Sequence, residues 1–220
     1  MKISLDFETY SECDIRKSGA FAYADHPSTE VICLAWALDD EPPVLWTPDM
    51  PAPTDLFRLI EKGAAVWAWN SFFELSIRER VLHWPSVPIS QWNDTAALAA
   101  AMAYPRALGK CGEFMGMTGD AAKDKRGKYL IQRLCKPYRG KRVRDPELLQ
   151  ELYDYCLQDV VAERAIRKKL RPLDPTERQV WITDQKMNLR GVRLDKDNIG
   201  HAISIIEKLA VELNAEVYEL

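Results

Sequence analysis

The chain has 220 residues, of which 47% are hydrophobic and 29% charged, with a formal net charge of -3. This composition is ordinary for a soluble globular protein of one large or two small domains. No run of about 18 apolar residues occurs and the N-terminus lacks the apolar core of a signal peptide, so we expect a cytoplasmic protein rather than a membrane or exported one. Five cysteines without a C-x-x-C pair and three scattered histidines exclude a common zinc pattern, and we expect reduced thiols.

The first half of the chain predicts mainly strands. The segment "KISLDFETY" alternates apolar and polar residues, which is the period of a β-strand. The runs "EVICLAWALDD" and "PPVLWT" follow closely enough to favour antiparallel pairing with it. A helix, "PTDLFRLIEKG", and an apolar strand, "AAVWAW", come next. The predicted order is three strands, helix, strand, helix.

The second half predicts mainly helices. The segment "NSFFELSIRERVLHW" predicts a helix after the fourth strand, and "DTAALAAAMAY" and "GKCGEFMGM" predict further helices. A long helix is predicted over residues 146–170. The two prolines of "RPLDPTE" then indicate a boundary. The last two predicted helices lie beyond it, and the second lacks a C-terminal cap, so we expect a domain that is cut short.

One carboxylate falls on the apolar face of the long helix. At about 100° per residue, an apolar stripe of the width that a packed helix needs has Asp159 in its middle. The stripe consists of Leu148, Leu152, Tyr155, Asp159, Ala162, Ile166 and Leu170. Burying an ionised carboxylate without a partner is costly. Asp159 therefore requires a partner from outside its own helix.

Two acids of the first strand are candidates for a shared site with Asp159. Asp6 and Glu8 lie on one face of the strand with their α-carbons about 7 Å apart. Such a pair is common by chance and also fits a strand with a polar outer face. A divalent cation among the three carboxylates would relieve both the repulsion within the pair and the burial of Asp159.

Tyr155 precedes Asp159 by four residues, so the two side chains lie over the same patch of the helix. A tyrosine hydroxyl beside a metal-bound carboxylate is suited to orient a water. Because its ordinary pKa is near 10, the hydroxyl would act as a donor more readily than as a base. The alternative is a core aromatic residue whose hydroxyl is hydrogen-bonded.

The segment 123–144 is strongly basic, with ten Lys or Arg residues and one acid. A solvated basic loop and helix would account for this charge. The interleaved Tyr129 and Tyr138 instead fit a surface for single-stranded nucleic acid, with phosphates on the cations and bases on the rings. The residues expected to contact DNA are Lys123, Lys125, Arg126, Lys128, Arg133, Phe72 and Phe73. At least one of the two phenylalanines is expected to pack in the core instead.

Three motifs, in this order, resemble those of the DEDD 3'-to-5' exonucleases. They are Asp6-x-Glu8 on the first strand, "WNSFFE" after the fourth strand and "YCLQD" on the long helix. The histidine branch of that superfamily has His five residues before the last Asp. Asp154 stands at that position here, so the resemblance is to the tyrosine branch.

Longer stretches around these motifs resemble the proofreading domain of phage-type family A DNA polymerases. They are "DFETYSECDIRKSGAFAYADHPSTEVICLAWAL" and "YDYCLQDVVAERAI". The resemblance predicts an exonuclease domain over residues 1–171. Residues 172–220 would be the helical start of a connection to a polymerase domain, since "MNLRGVRLD" resembles the segment that leads there.

The resemblance implies a fold and a set of site residues. The fold is a ribonuclease H-like α/β domain, a mixed β-sheet flanked by helices, followed by a short helical segment. The implied metal ligands are Asp6, Glu8, Glu74 and Asp159, and Tyr155 would orient the attacking water.

The second motif departs from the family pattern, which usually ends in Asp, because Glu74 is one methylene longer. Ser71 and Glu74 also match a capping box, in which the glutamate would bond back to the start of its own helix. A water-mediated contact to a second metal would tolerate the longer side chain. Asp94 is a reserve acid, and we prefer to interpret it as a helix N-cap.

The implied activity is hydrolysis of DNA 3' ends to 5'-nucleotides with two Mg²⁺ or Mn²⁺ ions, as the proofreading part of a DNA polymerase in a bacterial cell or phage-infected host. The expected partners are single-stranded DNA or a frayed primer 3' end and, in a longer native chain, a C-terminal polymerase domain; no membrane is expected. Three alternatives stay open: a free-standing 3'-to-5' exoribonuclease, a catalytically weakened DNA-binding module, and a structural domain that docks a polymerase.

Overall fold

A five-stranded mixed β-sheet organises the residues that the computed structural model describes, 1–117 and 126–218. The strands are β1 (Lys2–Tyr10), β2 (Glu30–Leu38), β3 (Val44–Trp46), β4 (Ala65–Ala68) and β5 (Trp92–Asp94), in the spatial order β3-β2-β1-β4-β5. β2 is antiparallel to β1 and β3, whereas β4 is parallel to β1 and β5. The central strand β1 therefore joins an antiparallel half of the sheet to a parallel half.

Helices connect and cover these strands. They are α1 (Ile15–Ala24), α2 (Thr54–Glu61), α3 (Phe72–Ser76), α4 (Thr95–Ala101), α5 (Leu108–Phe114), α6 (Gly127–Leu134), α7 (Pro146–Arg167), α8 (Pro175–Arg190) and α9 (Lys196–Tyr218). A π-helical segment, Ile77–Val81, continues α3. None of the described helices is long and apolar enough to cross a membrane.

The structure confirms the antiparallel pairing of β2 with β1, but the predicted pairing of "PPVLWT" with β1 is wrong, because β3 pairs with β2. The predicted element order is also corrected. Helix α1 lies between β1 and β2, and β5 follows the π-helical segment. Gly19 interrupts α1 with a φ of 77°, which hides the helical period. β5 has only three residues, too few for an alternating pattern. The predicted helix over "NSFFELSIRERVLHW" is a short α3 followed by the π-helical segment.

Both faces of β1 are covered, because successive side chains of a strand point to opposite faces. On one face α7 packs onto Cys33 and Ala35 of the neighbouring β2. On the other face the ring of Trp84 lies 6.1 Å from that of Phe7 and 5.0 Å from that of Trp46. The polar face of β1 therefore lies beneath α7 and not towards solvent.

A buried ion pair on α7 fixes this helix to the sheet. Arg167 Nε lies 3.3 Å from Glu163 Oε1, and Arg167 Nη2 donates to Ser4 Oγ at 3.2 Å. The hydroxyl of Thr95 donates to the same glutamate, and the guanidinium lies over the ring of Trp67. Burial raises the pKa of the Glu163 carboxyl, and Arg167 partly offsets that rise. The sequence pattern identified neither partner of this pair as buried.

The chain divides into two compact units, Met1–Ile182 and Thr183–Leu220. The division falls inside α8. The second unit contains the end of α8, a turn at Gly191, where φ is 66°, and α9, whose described residues are all exposed. An exonuclease domain that ends at residue 171 stays a prediction.

Replacing Arg167 by Met tests the buried ion pair. We expect the free energy of unfolding to fall by about 3–5 kcal/mol, because Glu163 stays buried without its cation. The loss should grow as pH rises from about 4.5, since the raised pKa of Glu163 would rise further and its ionisation would oppose folding. Urea unfolding at pH 5 and pH 8 measures both effects.

Glu163→Gln in the Arg167→Met background is the matched control. It removes the orphaned charge while keeping an acceptor for Thr95, so it should abolish the added pH dependence and recover part of the stability. A loss that is equal at both pH values would show that Arg167 acts through its packing on Trp67 and not through its charge.

Candidate metal centre and active site

Three carboxylates from distant parts of the chain meet beneath α7. One oxygen from each of Asp6, Glu8 and Asp159 lies within 4.8 Å of the other two. Glu8 and Asp159 are buried, and Asp6 is half-buried. Oxygens around Mg²⁺ lie about 2.1 Å from the ion, so opposite ligands are about 4.2 Å apart. The donor type and the spacing therefore both fit one hard divalent cation.

Local contacts of β1 hold these carboxylates in place. The strand carries a register shift between Glu8 and Thr9, where its pairing with β2 is irregular. The Cys156 thiol of α7 donates to the backbone carbonyl of Asp6 at 3.3 Å, which ties the helix to the strand beside Asp159. The Cys135 thiol lies 3.6 Å from Glu8 Oε2.

The surroundings of the thiols beside the carboxylates favour the protonated form. Burial raises the pKa of both Cys135 and Cys156 well above the usual range, and the nearby acids raise it further. A protonated thiol is a weak donor, so each can support a carboxylate or carbonyl without adding negative charge. All five cysteines are free, as the sequence predicts.

Glu74 of α3 is buried beside the same group. Burial raises the pKa of its carboxyl well above the usual range, and the charges of Asp6 and Glu8 add to that rise, while a hydrogen bond with the backbone of Phe7 opposes it. Among the described residues Glu74 lies outside the set of oxygens within 4.8 Å. The capping-box interpretation is wrong, because Ser71 makes no side-chain cap bond and Glu74 bonds to β1 instead of to its own helix.

Asp94 is the N-cap of α4, as predicted. Its Oδ1 accepts from the backbone N–H of Ala96 at 2.9 Å and of Ala97 at 3.3 Å. The same oxygen accepts from the N–H of Asn70 at 3.0 Å, and Asn70 has a φ of 65°. Asp94 therefore holds the turn between β4 and α3, which is the turn that presents Glu74.

Tyr155 lies one turn before Asp159 and is only 3% exposed. Its ring packs in a cluster formed by Tyr10, Ile32, Leu130, Leu134 and Leu152. Asp154, the residue that replaces the histidine of the other branch, is exposed and accepts from Gln150 at 3.2 Å. The tyrosine is thus on the buried side of α7 with Asp159, and Asp154 is not.

A cavity of about 540 Å³ opens beside Glu8. Thr9, Tyr23 and Phe73 line it together with Cys135. The hydroxyls of Tyr23 and Thr9 are 2.8 Å apart, and the Phe73 ring lies 5.9 Å from that of Tyr23. This volume lies within the range of small-molecule sites. Of the two predicted aromatic contacts, Phe73 lines the cavity, and Phe72 is half-buried.

The predicted DNA-binding cations have different surroundings. Lys123 and Lys125 lie outside the described residues. Arg126 pairs with Glu151 of α7, and Arg133 lies 3.8 Å over the ring of Tyr138. Lys128 is exposed on α6. Among the described cations of this set, Arg126 and Lys128 are both exposed, and Arg126 is paired with a carboxylate.

A hairpin that no sequence pattern predicted follows α6. Tyr138 and Lys141 form an isolated antiparallel bridge, and Arg139 and Gly140 between them have φ values of 51° and 74°. Such a pair of positive φ values is typical of a tight hairpin turn. Lys136, just before it, lines the cavity beside Glu8. The "RG" step within a charged run was the available signal.

The chain has a relative among known proteins. At 34% identity over 233 residues, 99% of the chain aligns with a DNA polymerase of Bacillus phage SP02. The chain is similar to part of a phage DNA polymerase. It spans 36% of that relative's length, and the predicted resemblance to phage DNA polymerases is confirmed. No protein-family model matches the chain.

A solved nuclease structure shares this architecture. The apo form of this nuclease has a TM-score of 0.53 at 14% identity, with 86% of this chain and 85% of that chain covered. Brucella melitensis NrnC with bound Mg²⁺ has a TM-score of 0.48 at 12% identity, with 86% of each chain covered. The predicted ribonuclease H-like α/β fold is confirmed by the mixed sheet and the first of these structures.

Cation binding should be visible as a change in thermal stability. Mg²⁺ or Mn²⁺ at about 100 times its Kd is expected to raise the Tm by about 5–10 °C, because the cation offsets repulsion among the carboxylates only in the folded chain. Asp159→Asn should have a higher Tm than the parent without a cation and should lose the rise. Differential scanning fluorimetry measures both.

Asp154→Asn is the control for this experiment, because it removes an exposed carboxylate from the same helix. It should keep the whole cation-dependent rise. A rise of equal size in Asp159→Asn would place the cation elsewhere.

Proposed function

We propose that this chain is a metal-dependent 3'-to-5' exonuclease that hydrolyses DNA 3' ends to 5'-nucleotides as the proofreading part of a DNA polymerase. The observation that carries this proposal is the meeting of Asp6, Glu8 and Asp159 at one point, beside Tyr155 and an open cavity. The relation to a phage DNA polymerase and the nuclease-like fold support it.

The residues divide the chemistry among them. Two divalent cations, Mg²⁺ or Mn²⁺, would supply an activated water and neutralise charge on the leaving 3'-oxygen. Asp6, Glu8 and Asp159 would hold the first of them, with Asp6 shared. Tyr155, one turn from Asp159, would donate a hydrogen bond that orients the water towards the terminal phosphorus. Such positioning requires a rigid side chain, which the packed ring of Tyr155 provides.

Glu74 would support the second cation through a water. It lies close enough to Asp6 and Glu8 for their charges to raise the pKa of its carboxyl, yet outside the tightest group of oxygens. A cation there would favour the ionised carboxylate and reverse the raised pKa. The N-capping Asp94 would act only by fixing the turn before α3.

The 3'-terminal nucleotide would occupy the cavity beside Glu8. Phe73 and Tyr23 would offer their rings to a base, and Lys136 would lie near a phosphate. The exposed cations Lys128 and Lys136 are better placed to take phosphates than Arg126, which is paired with Glu151. These contacts would position the strand without reading its sequence.

A primer-degradation assay tests the proposed activity. A 5'-labelled primer with a 3' mismatch on a DNA template should shorten one nucleotide at a time in Mg²⁺ and not in EDTA. Asp6→Ala should lose at least about 10³-fold in rate, because a cation supplies several kcal/mol of charge stabilisation. Gel electrophoresis of a time course gives the rates.

Matched variants and substrates sharpen this assay. Asp154→Asn should keep the parent rate, and Glu74→Gln should lose part of it. An RNA primer of the same sequence separates a deoxyribonuclease from an exoribonuclease. A parent chain that binds single-stranded DNA but never shortens it would instead indicate a binding module.

Phosphate contacts can be counted from the salt dependence of binding. Replacing Lys128 and Lys136 by Ala should weaken binding of single-stranded DNA and reduce the slope of log K against log salt by about 1.4, since each phosphate contact contributes about 0.7. Fluorescence anisotropy at several salt concentrations measures the slope. Lys62→Ala, an exposed lysine after α2, should leave it unchanged. An unchanged slope in the double variant would exclude these lysines from the DNA contact.

A further inference from the structure

Gly127, the first residue of α6, lies directly against the ring of Tyr155. A Cβ atom added to this glycine would stand 1.8 Å from Cε2 and 2.2 Å from Cζ of the tyrosine. Ordinary contacts between carbon atoms are about 3.5–4.0 Å. The Tyr155 ring thus occupies the space that any side chain at position 127 would need.

The contact is made at the hydroxyl end of the ring. Cζ carries the tyrosine oxygen, and Cε2 is next to it. Leu130 and Leu134 of α6 also belong to the cluster around the ring, so this helix forms one wall of the tyrosine's pocket. The backbone at Gly127 therefore limits the position of the hydroxyl end of the ring. This is the end that has to be placed most accurately.

The requirement for glycine here is steric and not conformational. Gly127 is absent from the glycines with positive φ, so an L-residue could adopt its backbone angles. Alanine is also the better helix former, by about 1 kcal/mol. The three atoms nearest to an added Cβ all belong to the Tyr155 ring. A side chain at position 127 therefore requires the packed Tyr155 ring to shift from its place.

We propose that Gly127 is a positioning residue for Tyr155, and that α6 sets the location of the tyrosine hydroxyl from the protein side. This inference rests on the proposed exonuclease function. The distances require the ring to withdraw by about 2 Å from a methyl group at position 127. A misplacement of about 1 Å in a catalytic group costs about 10²-fold in rate.

Gly127 is flanked by basic residues in the sequence. It lies between Arg126 and Lys128, within the basic segment that is proposed to take DNA phosphates. The same short backbone would therefore meet the strand through Lys128 and faces Tyr155 through Gly127. A strand bound to Lys128 would contact the wall that places the tyrosine hydroxyl.

The test is a mutant cycle between positions 127 and 155. Gly127→Ala should lower kcat on a DNA primer by about 10²-fold with little change in KM, a loss similar to that of Tyr155→Phe. In the Tyr155→Ala background, where the ring is gone, Gly127→Ala should have no further effect. Gly200→Ala is the matched control, because this helical glycine has nothing within 4 Å of an added Cβ and no positive φ.

Two results would overturn the inference. One is parent-like kcat in Gly127→Ala, and the other is an equal loss from Gly127→Ala with and without the Tyr155 ring. If Gly127→Ala does not fold, its stability replaces kcat in the cycle: recovery on adding Tyr155→Ala supports the contact, and no recovery overturns it.

A spectroscopic reading separates this inference from the proposed function. In protein with ¹³C-labelled tyrosine, the ring resonance assigned to Tyr155 by its loss in Tyr155→Phe should shift in Gly127→Ala and stay in place in Gly200→Ala. That shift is expected even if the parent chain degrades no DNA, in which case only the proposed function would fail. An unmoved resonance would contradict the contact itself.

Discussion

Repulsion among buried carboxylates is the constraint on which this structure depends. Asp6, Glu8 and Asp159 are brought within 4.8 Å by the packing of α7 on β1, and Glu74 lies beside them with a raised pKa. The ion pair between Glu163 and Arg167 one turn further along α7 is neutral as a whole, so it adds no net positive charge to this part of the helix. A bound cation would add positive charge at the carboxylates, so a fold of this kind is expected to gain stability and chemistry from the same ion.

Contacts made by residues outside the carboxylate group hold the segments that carry the acids. Asp94 caps α4 and also fixes the turn before α3, so that one carboxylate secures the helix that presents Glu74. The π-helical segment then turns the guanidinium of Arg78 into an aromatic pocket, 5.4 Å from the ring of Trp84, where burial lowers its pKa to about 10. π-Helical turns occur often at functional sites. Here Arg78 anchors the end of α3, a helix of only five residues that packing alone would hold weakly.

Much of the site could be predicted because charge on an apolar face is a strong signal. Asp159 interrupts an apolar stripe, and it is buried as that pattern predicts. The alternating first strand placed Asp6 and Glu8 on one face, and the "NDT" step marked Asp94 as a cap. The roles of these residues rest on the resemblance, but their placement follows from period and burial. The pattern was less informative for Glu74, since a capping box and a site acid have the same sequence, and only the contact with β1 distinguishes them.

The residues that escaped prediction are those whose role depends on a neighbour from another part of the chain. Glu163 and Arg167 are spaced as an ordinary exposed pair on a helix, and they are buried only because Ser4 and Thr95 provide polar partners from β1 and α4. Gly127 follows four charged residues in a basic run and looks like a residue of a surface turn. A glycine has no side chain by which a pattern could mark it. Its role becomes visible only in the structure, where the glycine leaves room for the Tyr155 ring. The position of Cζ in that ring matters to the proposed chemistry.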